Sequence, residues 1–209
     1  MRTATFFARA LVGFGAVVLA VVPTAAAAEQ WTHRDATGDV VQFTYDFESV
    51  RTTTELPDDV STDVRRLTIT HAPHELRISM KVQDIVRGTR TAELYVRTAE
   101  GRRFEVTAYA FRTRAFSGPY ISAVPTRERV RCSGQSASLD PDTDKVSVTL
   151  PRRCLGDPRW VQVGATYATE GEFESEVEEG HFNYFENIDD ALREGVRYRV
   201  AMSPRVRVG

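Results

Sequence analysis

Hydrophobic and polar residues alternate along most of the chain. Val41, Phe43, Tyr45 and Phe47 are separated by polar or small residues, as are Leu67 and Ile69 in RRLTIT and Leu76, Ile78, Met80 and Val82 in ELRISMKV. The same period recurs in AELYVRT (92–98), RRFEVTAYAF (102–111), KVSVTL (145–150), WVQVGATYA (160–168) and VRYRVAM (196–202). A period of two marks strands with one buried and one solvated face. HAPH (71–74), AEG (99–101) and DPDTD (140–144) are turn signals between such runs. One stretch reads as a helix: in NIDDALREG, Asn187 is a cap, Asp189 and Asp190 fill the first turn and Gly195 ends it. A shorter turn fits PRRCLGDPRW, and the polar segment 51–63 reads as a long loop. The pattern predicts an all-β fold: a single antiparallel β-sandwich of roughly eight to ten strands with a short C-terminal helix.

Residues 1–28 have a separate character. Arg2 and Arg9 precede an apolar run from Ala10 to Val22, Pro23 breaks it, and Ala26, Ala27 and Ala28 offer a small-x-small cleavage site. That is the pattern of a secretory signal peptide, with a run too short for a membrane span. The expected product is a secreted domain, 29–209, with no membrane span after cleavage. The formal net charge of the whole chain is −2, and loss of Arg2 and Arg9 makes the remainder more acidic. Nucleic acid is therefore not an expected partner. Lys81 and Lys145 are the only lysines against many arginines, a bias of GC-rich bacterial genomes.

Cys132 and Cys154 are the only cysteines, and they flank the hairpin signal DPDTD. In an exported chain this predicts one disulfide. It would stabilise the fold by roughly 3 kcal/mol in the chain-entropy model.

The candidate chemistry is acidic. GEFESEVEE (171–179) places Glu172, Glu174, Glu176 and Glu178 on every second residue, hence on one face of a strand. Three roles are open to it: a face solvated or paired with arginines such as Arg197 and Arg199, a contribution of Glu174 and Glu176 to a Ca²⁺ site, or a surface for a basic protein partner. One strand cannot complete the about six to eight oxygen ligands of Ca²⁺. In DATGD, Asp35, Gly38 and Asp39 suit a tight turn whose carboxylates hold a cation or cap backbone N–H groups. Next to the acidic stretch, HFNYFE puts Tyr184 and Phe185 side by side, so that one must face outward; they are the expected ligand-binding edge. Trp31, Tyr120 and Trp160 are further aromatic candidates, with Trp160 expected to cover the core near the disulfide.

The order D-x-x-G-D, loop, D-V-x-x-L-x-I, hairpin, L-x-I-x-M-x-V across Asp35–Asp84 resembles the opening of DOMON domains and family 9 carbohydrate-binding modules. Those are exported β-sandwiches that bind sugars or haem. The resemblance implies Asp35, Asp39 and Asp63 as cation or turn residues. Met80 lies in register with Leu76, Ile78 and Val82 and reads as core, not as a haem ligand. His71 and His74 read as exposed turn residues. DPDTD fails as an EF-hand loop because Lys145 stands where Gly is needed. GxSxG, HExxH, CxxC and a Gly-rich phosphate loop are absent, so an enzyme is not expected; a hydrolase with an unrecognised carboxylate pair is the catalytic alternative. The expected function is non-catalytic binding of a polysaccharide or cell-envelope component, with Ca²⁺ as a structural ion. The other reading is an envelope or extracellular protein-interaction domain.

Overall fold

A computed structural model of the chain describes residues 28–45, 50–111, 117–174, 182–197 and 199–209. The proposed signal segment lies almost wholly outside them. The described strands are β1 (Glu29–Arg34), β2 (Val41–Tyr45), β3 (Val50–Glu55), β4 (Val64–His71), β5 (Glu75–Val82), β6 (Thr89–Thr98) and β7 (Arg103–Ala110). They continue with β8 (Ser117–Val124), β9 (Ser136–Asp140), β10 (Lys145–Pro151), β11 (Trp160–Glu174), β12 (Phe182–Asp190) and β13 (Val206–Arg207). A five-stranded sheet has the order β1-β4-β5-β10-β9, and an eight-stranded sheet the order β3-β2-β12-β11-β6-β7-β8 with β13 beside β11. All paired strands are antiparallel. The all-β sandwich is thus the observed fold.

The alternation read in the sequence becomes the interior. Leu67, Ile69, Leu76, Ile78, Met80, Val146 and Val148 of the small sheet form one cluster with Leu94, Val96, Val106, Val161, Val163 and Tyr167 of the large one. Met80 is a core side chain, 1% exposed. Cys132 and Cys154 form the disulfide, with Cα atoms 5.6 Å apart, and DPDTD joins β9 to β10 as a hairpin.

Several expectations need correction. NIDDALREG contains no helix: Asn187–Asp190 end β12, hydrogen-bonded to β11 on one side and, at Asn187 and Ile188, to β2 on the other. The helix among the described residues is α1 (Arg152–Leu155), in the PRRCLGDPRW turn, closed by Gly156 in the left-handed region. VRYRVAM is not a strand among the described residues. The cross-strand neighbour of Glu172 is Tyr184 on β12; the side chains of Glu172 and Glu174, and all of Glu176 and Glu178, lie outside the described residues. The segment 51–63 begins as strand, because β3 runs to Glu55 and pairs with β2; the remainder is the expected connection. His71 is not an exposed turn residue: it is fully buried at the end of β4, its Nδ1 3.0 Å from the carbonyl of Val206.

Candidate functional site

Two groups of polar side chains stand out, one inside the sandwich and one on the outer face of the large sheet.

The inner group is built from sequence-distant turns. Asp35 and Asp39 lie in the connection from β1 to β2, Asp63 immediately precedes β4, and Asp189 is near the end of β12. Gly38, at φ +72°, lets that connection pass Pro57, whose carbonyl oxygen would lie 2.7 Å from any Cβ added there. Along β12 side chains alternate between faces. Asn187 and Asp189 share the inner face with Tyr167, whereas Asp190 and Glu186 point out. The inner direction brings Asp189 to Asp39 and Asp63: one carboxylate oxygen of each lies within 4.8 Å of the others.

Each aspartate uses one oxygen to anchor backbone. Ala36 N donates to Asp35 Oδ1 at 3.0 Å, Gly195 N to Asp39 Oδ2 at 3.2 Å, Gly38 N to Asp63 Oδ2 at 3.2 Å and Val64 N to Asp189 Oδ2 at 2.6 Å. The second oxygen of each, namely Asp35 Oδ2, Asp39 Oδ1, Asp63 Oδ1 and Asp189 Oδ1, is buried without a hydrogen-bond partner. Asp63 and Asp189 are 3% and 0% exposed. Burial, reinforced by the neighbouring carboxylates, pushes Asp189 up to about 9 and Asp35 up to about 8. Asp39 and Asp190 are raised for the same first reason. Arg65 Nη1 reaches Asp63 Oδ2 at 3.4 Å, and His33 Nε2 lies 3.9 Å from Asp35 Oδ1. Arg193 instead serves Asp190, at 3.0 Å.

The outer group follows from the same register. Glu170 faces Glu186, Thr166 faces Glu93, Tyr95 faces Glu105 and Tyr184 faces Tyr45 across adjacent strands. Tyr45 and Tyr184 stack with ring centroids 5.0 Å apart, and Tyr184 is 48% exposed. Tyr45 donates to Glu186 Oε2 at 3.3 Å, Tyr95 to Glu93 Oε2 at 2.9 Å and Thr91 to Glu170 Oε1 at 2.9 Å. Burial, then the Glu170 charge, raises Glu186 to about 6; burial also raises Glu93. No ion pair engages these glutamates among the described residues.

The sequence-predicted residues therefore divide. Asp39 and Asp63 come together with Asp189, which the sequence reading placed in a helix, while Asp35 lies near enough for the Asp39 charge to act on it. Glu174 ends β11 opposite Phe182; its side chain and all of Glu176 lie outside the described residues. Tyr184 faces outward, while half-buried Phe185 lies on the opposite face against Gly171, where an added Cβ would sit 2.4 Å from its ring. Trp160 is half-buried beneath Arg205, 4.5 Å from its ring centroid. Trp31 is half-buried and stacks on His33, and Tyr120 stacks on Tyr109. A period-two reading of FNYFENIDD would have put Asp189 on the inner face with Asn187.

No family model, curated protein or solved structure matches this chain.

Proposed function

We propose that the chain is an exported, non-catalytic binding domain that holds carbohydrate on the outer face of its large sheet. The stacked, half-exposed Tyr45–Tyr184 pair beside Glu186 carries this reading. Flat aromatic rings present an apolar surface with a polar tip, which suits the C–H face of a pyranose. The carboxylates of Glu170 and Glu186 are acceptors for the hydroxyls that radiate from such a ring. Export is supported by the amino-terminal pattern and the disulfide.

A protein-interaction domain is the second reading, favoured by Glu93, Glu105, Glu170 and Glu186 on one face. A basic partner would be attracted to that charge. The two readings differ in salt dependence, because attraction between exposed charges is screened over about 8–10 Å at moderate salt.

Retention on a panel of neutral insoluble polysaccharides tests the first. Retention is expected to persist in high salt and to fall at least tenfold in Tyr184→Ala, an exposed position whose truncation leaves the core intact. Retention unchanged by Tyr184→Ala, or absent across the panel, sinks the carbohydrate reading. A salt-labile complex with basic protein would then support the second.

A further inference from the structure

Four neighbouring aspartates, each with a buried carboxylate oxygen that has no hydrogen-bond partner, are an unfavourable arrangement for a folded protein on its own. A buried acceptor left unsatisfied costs stability, and like charges in contact raise that cost. Nothing compels the aspartates to be so placed for backbone anchoring alone, since each achieves that with its other oxygen. Asp39, Asp63 and Asp189 each bring one carboxylate oxygen within 4.8 Å of the others. Two ligands at about 2.4 Å from a common Ca²⁺ can be at most about 4.8 Å apart, and the three-aspartate group meets that limit.

We propose that Asp39, Asp63 and Asp189, with Asp35 beside them, bind one calcium ion inside the sandwich. The donor set is carboxylate oxygen throughout, which selects a hard cation over zinc or copper. Ligands that come from two loops and one strand end suit the flexible, high-coordination sphere of Ca²⁺ better than the strict octahedron of Mg²⁺. The ion would tie Asp63, at the head of β4 in the small sheet, to Asp189 on β12 in the large sheet. Those elements already meet through the Val64 amide and Asp189. The site is independent of the tyrosine face, so either proposal can fail without the other.

The test is thermal unfolding of the purified, oxidised domain after chelator dialysis, in EDTA and in millimolar Ca²⁺, with isothermal calorimetry for stoichiometry. A ligand that binds only the folded state raises its melting temperature by mass action. The expected result is a rise of several degrees and one bound ion. Asp189→Asn keeps an oxygen for the Val64 amide and removes the carboxylate that a calcium ion would bind. It should therefore fold, melt in EDTA close to the native temperature because burial already holds the proton on Asp189, and lose the calcium response. Asp39→Asn should do the same, while Glu→Gln at Glu174 and Glu176 should leave the response intact. No heat and no shift with the native chain overturns the proposal. So does a full calcium shift in both aspartate variants. An equal rise in Mg²⁺ overturns the assignment to calcium.

Discussion

At the scale of single residues, the outer carboxylates show how a sheet face alters acidity. Glu186 is half-buried, with Glu170 opposite, Glu93 within electrostatic reach and the Tyr45 hydroxyl as its donor. Burial makes the charged form costly and lifts it from the ordinary 4.5 to about 6. A pKa raised on folding means that the folded state holds the proton more tightly. Its contribution is fully present below about 4.5 and is lost as pH rises through about 6. Glu186→Gln removes the penalty and keeps an acceptor for Tyr45. The full shift would correspond to about 2 kcal/mol, and solvent screening at this half-exposed site reduces it to about 1 kcal/mol. The variant should be more resistant to urea than the native chain at pH 7.5 by that amount, with no difference at pH 4. A difference of equal size at both pH values would assign the effect to packing.

At the scale of elements, strands were legible where one face is apolar and the other is wet. β4, β5, β6, β7, β10 and most of β11 are of this kind, and their alternating burial follows the sequence pattern. β3, VRTTTE, lacks an apolar face, and its pairing with β2 makes it a strand. NIDD failed for the same reason in reverse. Its local chemistry suits a helix cap, but hydrogen bonds to β11, and to β2 at its start, outweigh a preference of a few tenths of a kcal/mol per residue. That one misreading hid Asp189 from the cation group, although the turn DATGD offered Asp39 and the resemblance named Asp63. VRYRVAM failed because its residues leave the sheet and cross over β11. Ser203 N donates to the Val163 carbonyl at 2.9 Å, and Ser203 Oγ accepts from Val163 N at 3.0 Å. Gly164 makes the crossing possible: a Cβ there would lie 2.5 Å from the carbonyl oxygen of Ala201 and 2.8 Å from Val200 Cγ1. Gly164→Ala should therefore displace the crossing segment and cost about 1–3 kcal/mol, the range for overpacking. Faster amide exchange at Val163 and Ser203 would locate the damage. Native-like exchange there would refute the steric account.

At the scale of the molecule, a basic groove on one sheet and a cluster of glutamates on the other lie on opposite outer faces, with Arg97 and Arg103 at the far end of the glutamate face. The outer face of the small sheet carries Arg66, Arg77, Lys81 and Lys145 around a shallow groove, and that of the large sheet carries the glutamates. A net charge of −2 conceals this division, and composition could not reveal it because it depends on strand register. The disulfide, by contrast, was legible from the cysteine count and the hairpin between the two positions. Cys154 lies in the core beside Leu155, and half-buried Cys132 packs against the same cluster. The bond closes a loop with a sequence separation of 22, which holds β9 and β10 together at the edge of the small sheet. For such a loop the chain-entropy model gives roughly 3 kcal/mol, or a melting point lower by about 6–12 °C for a domain of this size. Reduction of the native chain and the double substitution Cys132→Ser, Cys154→Ser each break the bond, but only the second replaces a buried sulfur with a hydroxyl. If the stabilisation comes from the unfolded chain, reduction alone should produce the whole fall, and the variant should lie slightly lower and ignore reductant. A reduced protein that melts where the oxidised one does would show that the hairpin and core hold this edge without the cross-link.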